Sequence, residues 1–173
     1  MKKIMFNDKF LLTQAVLNGT KTMTRRVIKK EIPIGSWQET EKMLRYKVGE
    51  VVAIAQCYLD IKKPQFDKFG HDVAGNTNKM FVRADLMPHH IKITDVRVER
   101  LQDITKEDCL KEGVWQFCYD TDLFYVSKDI GYAGTVAFPS SHEAFWYLIN
   151  KICGKDTWER NPWVEAYTFT RVD

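Results

Sequence analysis

Eight consecutive residues, Gly19-Thr20-Lys21-Thr22-Met23-Thr24-Arg25-Arg26, gather the densest chemistry in the chain. A lysine, threonine hydroxyls and two arginines lie side by side, offering many donors to a phosphate, carboxylate or carbonyl oxygen. The same composition also suits an edge strand whose basic residues face water, a common guard against unwanted strand pairing. Residue types alone do not separate these readings. The four histidines (His71, His89, His90, His142) form no H-E-x-x-H, and adjacent His89 and His90 would point to opposite faces of a strand, so no metal site is expected. Phosphate-loop and dinucleotide glycine signatures are absent, and no cofactor is expected.

The charge distribution singles out the same region. The 173 residues carry a formal net charge of +3. Residues 1–30 hold eight basic residues against one acid, and residues 31–173 hold 18 against 22. The positive excess is therefore local, which points to an anion or nucleic-acid site or to a solvated basic face.

These residues need elements to position them. Hydrophobic residues at 45%, aromatics at 13% and charged residues at 28% describe an ordinary globular chain, and this length suits one domain, 1–173. The pattern predicts a strand at Ile4 to Phe6 and a helix from Asp8 to Asn18, capped by Asn7 or Asp8 and ended by Gly19. Thr20 to Ile28 reads as extended, 29–46 as a loop or a frayed element, and Val51 to Tyr58 as a buried strand. Further strands are expected at Phe81 to Ala84, Ile91 to Leu101 and Trp163 to Val172. In the second of these, Ile91 and Ile93 alternate in one phase and Val96 and Val98 in the other, which predicts a bulge at Thr94-Asp95. Helices should begin at Thr105, with Gly113 past the end, and at the capping box Ser140-x-x-Glu143, with Gly154 past the end. Long excursions at 59–79 and 114–139 have the character of binding loops or lids. The sum is α+β, a small and mostly antiparallel barrel with flanking helices.

Cys57, Cys109, Cys118 and Cys153 show no paired spacing, so neither a disulfide framework nor a zinc knuckle is expected. The basic opening MKKIMFNDKFLL is interrupted by Asn7, Asp8 and Lys9 before it reaches signal-peptide length, and no apolar run approaches a membrane span. A cytoplasmic location is the expectation.

Three stretches together make the chain similar to a known family. The G-x-K-T-x-T-R-R segment (Gly19 to Arg26) follows a short helix, and Val96-Arg97-Val98-Glu99-Arg100-Leu101-Gln102-Asp103-Ile104-Thr105 leads to Asp108 and Glu112-Gly113. Trp158-x-x-Asn161-Pro162-Trp163 then precedes a final strand. In this order they resemble the ASCH domain, related to the RNA-binding PUA fold, in its longer phage- and bacteroidete-type form.

The resemblance implies a PUA-like β-barrel with a cleft beside the G-x-K-T-x-T segment, and RNA or a modified nucleoside as partner. It also implies a candidate amidohydrolase, because a small bacterial member removes the acetyl group from acetylcytidine. By that match Lys21, Thr24 and Glu112 would be catalytic, and Thr22, Arg25, Arg26 and Trp163 would contact substrate or RNA. Chemically, a lysine whose pKa is lowered by burial and neighbouring cations takes the threonine proton, and the glutamate passes a proton to the leaving amine.

Each residue has a simpler role beside this one: Lys21 as a phosphate contact, Thr24 as a strand hydroxyl, Glu112 as an ion-pair partner of Arg25 or Arg26. Lys21 and Thr24, three apart, would face opposite sides of a straight strand, so they meet only if the segment turns. The competing functions are a binding module without turnover and a ribonuclease. Trp37, Tyr58, Phe81, Trp115, Trp163 and Tyr167 are stacking surfaces or core. The long loops could cover the cleft, and Glu165 departs from the apolar residue that longer members carry there.

Overall fold

In the computed structural model, residues 1–31, 33, 35–118, 122–126 and 136–173 are described. One mixed sheet organises them, in the order β1 (Lys3–Ile4), β3 (Val51–Ile54), β4 (His90–Arg100), β7 (Trp163–Arg171) and β2 (Met23–Val27). The β1–β3 pair is parallel and the other three pairs are antiparallel. The helices are α1 (Leu12–Leu17), α2 (Trp37–Met43), α3 (Lys106–Lys111) and α4 (Ser141–Cys153). A separate two-stranded ribbon pairs β5 (Trp115–Gln116) with β6 (Phe124–Tyr125).

The long β4–β7 pair is the spine. Its register shifts between Ile93 and Asp95, where the alternation of apolar residues changes phase, so Ile91, Ile93 and Val96 all remain buried. Ser140 accepts a hydrogen bond from the Glu143 N–H and Thr105 from that of Asp108, so both anticipated helix starts are made by side-chain caps. From α4, Ala144, Phe145, Leu148 and Ile149 enter a core shared with Ile4, Val52, Ile93, Val164 and Phe169.

Four expectations are corrected. The sheet is open and does not close into a barrel: β1 and β2 are its two edges. A β1 of two residues is too short to pair along β2, and between the edges the Arg26 Nη2 donates to the Met5 carbonyl across 2.5 Å. Second, the helix expected over 8–18 is a 3₁₀ turn (Asp8–Phe10) followed by α1, broken at Leu11, whose φ of 54° is left-handed. Third, the segment read as a loop or a frayed element holds the two-turn helix α2. Fourth, Phe81 to Ala84 is not a strand: it runs from the last residue of one 3₁₀ turn (Lys79–Phe81) to the first of the next (Ala84–Leu86).

The 59–79 excursion is tied down. Asn76, 1% exposed, accepts from the Gln65 N–H and donates to the Gln65 carbonyl and to Asp72 Oδ1. Lys79 beyond it donates to the Phe6 carbonyl and Asp8. The 114–139 excursion lies partly outside the described residues.

Candidate functional site

Short side-chain chemistry at the start of β2 becomes a site through α3. Gly113, just past that helix, has φ +104°, and a Cβ there would stand 2.9 Å from Leu12 Cδ2. Only glycine combines this backbone with so close an approach. The turn sets the Glu112 carbonyl and carboxylate against Lys21, while the Thr22 N–H donates to the Lys111 carbonyl and fixes the register of the two segments.

Lys21 precedes the strand and curls back over it. Its ammonium donates to the Met23 carbonyl at 2.7 Å, the Glu112 carbonyl at 2.6 Å and Glu112 Oε2 at 2.7 Å. An ammonium has three donors, and all three are used. Burial pushes the Lys21 pKa down, against the raising effect of Glu112 and with a smaller lowering by Arg26 and Arg25.

Arg25 is equally committed. It contacts Glu99 Oε1 through Nε (3.0 Å) and Nη2 (2.6 Å), Asp108 Oδ2 (2.7 Å) and Glu112 Oε1 (3.3 Å). Burial alone would lower its pKa, but Glu112, Asp108 and Glu99 together raise it. Glu112 is thus the ion-pair partner of both Lys21 and Arg25, with 4% of its surface exposed.

Asp108 sits between Arg25 and Arg97, 2.7 and 2.8 Å away. Burial would raise its pKa, yet hydrogen bonds from Arg25 and then Arg97 hold it below the ordinary carboxylate range. A carboxyl group depressed in the folded state adds stability above its unfolded pKa of about 3.9, and loses it as pH falls through the lower folded value. In Asp108→Asn the decline of unfolding free energy below about pH 4 should be shallower than in wild type. Identical pH slopes in denaturant titrations of the two proteins would contradict this ion-pair role.

A cavity of about 660 Å³ lies against this cluster, at the seam between the two open sheet edges. Lys21, Thr24, Arg25, Arg26 and Glu112 all line it. Lys21, just before β2, and Thr24, within it, thus both reach one cavity. Among the described residues the Thr24 hydroxyl has no hydrogen-bond partner. Phe6, Phe145, Leu148 and Ile149 form an apolar wall, and Lys29, Arg45 and Arg160 add cations that sequence reasoning missed.

Arg26 contrasts with its neighbour. Its Nε is enclosed without a partner, and its guanidinium lies 5.6 Å from the Phe6 ring centroid. Burial lowers its pKa, and nearby Arg45 adds to the lowering. Glu165, paired with Arg26 in the β2–β7 register, accepts from the Arg45 N–H at 3.3 Å and the Tyr167 hydroxyl at 2.8 Å. It fixes the backbone of Arg45 and does not line the cavity.

Two of the anticipated contacts stand elsewhere. Thr22 is occupied by backbone bonds to Lys111 and Phe169, and Trp163 packs under the Arg100 guanidinium, 4.4 Å from its ring centroid. Neither lines the cavity. Nor does any described residue of the 59–79 or 114–139 loops. Of the aromatics, Tyr167 is core and Trp115 lines a second, largely apolar cavity of about 520 Å³ beside α1. Among the described residues no group of His, Cys, Asp and Glu stands where it could hold a metal ion, and no helix is long and apolar enough to cross a membrane.

The fold and site together define an α+β protein with an open mixed sheet and a cationic, half-apolar cavity at its seam. No family model matches the chain, and no curated protein matches it. Among solved structures, it is similar to a protein of Enterococcus faecalis with the family description DUF984, at 14% identity and a TM-score of 0.41, covering 94% of this chain and 67% of that one. It is also similar to an ASCH domain from Lactobacillus crispatus, at 11% identity and a TM-score of 0.40, covering 95% of this chain and 72% of that one.

Proposed function

We propose that the cavity binds one nucleoside unit, of RNA or as a modified nucleoside, without turning it over. The observation that carries this reading is a single cavity whose lining divides in kind between apolar side chains, Phe6, Phe145, Leu148 and Ile149, and the cations Arg26, Lys29, Arg45 and Arg160. A flat, weakly polar ring carrying hydroxyls and an anionic group is complementary to that division. A volume of about 660 Å³ falls in the range of small-molecule sites, about 300–1,000 Å³, and admits one such unit. The sequence resemblance to the ASCH family supports the same ligand class.

Hydrolysis of an acylated cytidine is the second reading, favoured by Lys21, Thr24 and Glu112 lining one cavity. Against it stands the state of Lys21. Three acceptors surround its nitrogen, and a neutral amine, with two N–H groups, would leave one of them without a donor while its lone pair took the Thr24 proton. The purified protein, incubated with acetylcytidine and separately with short single-stranded RNA, should release no acetate and should retard the RNA, less so as salt rises. Acetate release that is lost in Thr24→Val would overturn the binding-only reading in favour of the hydrolase.

A further inference from the structure

We propose that Arg26, Lys29, Arg45 and Arg160 form a subsite for a terminal phosphate monoester, so that the ligand is a nucleoside monophosphate, either free or as the phosphorylated end of an RNA strand. The proposal rests on the nucleoside-unit reading and adds to it the group that anchors the unit.

Six cations line the cavity against one carboxylate, Glu112. The Glu112 carboxylate is taken by Lys21 and Arg25. The other four cations have no carboxylate in salt-bridge reach among the described residues. They arrive from separate places in the chain: Arg26 from β2, Lys29 just after it, Arg45 after α2, and Arg160 before β7. Lys29, Arg45 and Arg160 are exposed, and each by itself would be an ordinary surface charge.

Arg26 is what makes the group a site. Its Nε is enclosed and unpartnered, and among the described residues its one acceptor is the Met5 carbonyl, taken by Nη2. A guanidinium has five donors in a fixed fork, and a buried donor without an acceptor is costly. Arg45 adds a second positive charge close enough to disfavour the charge on Arg26. An anion bound in the cavity beside Arg26 and Arg45 offsets this repulsion and offers acceptors to their remaining N–H groups.

The form of the anion follows from number and geometry. A phosphate monoester carries close to two negative charges near neutral pH and presents three acceptor oxygens, enough to engage several forked donors at once. A carboxylate has two oxygens and one charge, and a phosphodiester within a strand has one charge and is threaded on both sides. The apolar wall then receives the base, since Phe6 contributes to it while also lying beneath Arg26.

The test is calorimetric titration at fixed salt with the 5′-monophosphates of adenosine, cytidine, guanosine and uridine, with the four nucleosides, and with a short RNA bearing either a phosphate or a hydroxyl at its 5′ end. At least one monophosphate should bind about 10-fold or more tightly than its nucleoside. In Arg45→Gln and in Arg160→Gln, whose positions are exposed and whose folding is checked by thermal melting, that preference should shrink by about 10-fold, as expected for a lost charged hydrogen bond.

A preference confined to free monophosphates assigns the subsite to a small metabolite, and a matching preference for the phosphorylated RNA assigns it to a strand end. Both support the phosphate subsite. Nucleosides binding as tightly as their monophosphates, or variants that leave the preference intact, would overturn it while leaving the nucleoside reading standing. No binding of any nucleoside, nucleotide or RNA would remove both.

Discussion

Glu112→Gln should lower the unfolding free energy by about 3–5 kcal/mol, the range for breaking a buried ion pair from one side. The amide keeps the shape and can still accept one hydrogen bond. It cannot balance Lys21, which is 2% exposed, or the Nη1 side of Arg25. The carbonyls of Met23 and Glu112 hold the ammonium in place but carry no net charge. Guanidinium titration of the two proteins measures the difference, and a loss below about 1 kcal/mol would show that the pair does not anchor the fold. The double variant Lys21→Met/Glu112→Leu should recover much of the loss, because exchanging a whole buried pair for apolar side chains is often neutral. Arg25 would still be held by Glu99 and Asp108 in that variant.

Phe145→Ala should be destabilising by a comparable amount, about 3–5 kcal/mol for truncating a buried aromatic side chain. The ring is 2% exposed and packs edge-on against Trp158, 6.2 Å between centroids at 72°. Its other side lines the cavity, so the same change also widens the apolar wall. The two effects separate in measurement: denaturant titration reports the core, and nucleotide affinity reports the wall. Phe145→Leu should restore most of the stability and less of the affinity, since it refills volume without the flat face. Equal stability of Phe145→Ala and wild type would mean that the α4 stripe is not packed as described.

Much of the scaffold could be read from local pattern. The phase change from Ile91/Ile93 to Val96/Val98 foretold the register shift in β4, because a strand keeps its apolar face inward only by slipping one residue. The cap residues Thr105 and Ser140 foretold the starts of α3 and α4. Other elements left no such trace. In α2 only Thr40 is buried and Trp37 is 48% exposed, so there is no apolar stripe to give it away. The Phe81–Ala84 run has strand-like composition, but Val82 packs into a small cluster with Ala53 and Met87 while Phe81 faces solvent. That contact pattern suits a turn. Whether a sheet closes depends on the separation of its edges, and strand count does not contain that information.

The site divides in the same way. Gly19 to Arg26 was legible because its residues are neighbours in the chain, and pairing of Glu112 with Arg25 was a stated alternative because opposite buried charges seek one another. Neighbouring Arg25 and Arg26 looked equivalent in the sequence. Among the described residues one has three carboxylates in salt-bridge reach and the other none, a distinction made by what β4 and α3 bring to Arg25. Arg45 and Arg160, far apart in the chain, join them only through the tertiary fold.

The seam cavity draws its lining from Met5 at one end of the chain to Arg160 near the other. Without either edge of the sheet in place the cavity lacks part of its lining, so binding is coupled to the folding of both. A ligand of this cavity acts on the folding equilibrium of the entire chain. At 100 times its dissociation constant it adds about 2.7 kcal/mol to the native state, so a rise in melting temperature with ligand concentration would report that the two edges have come together.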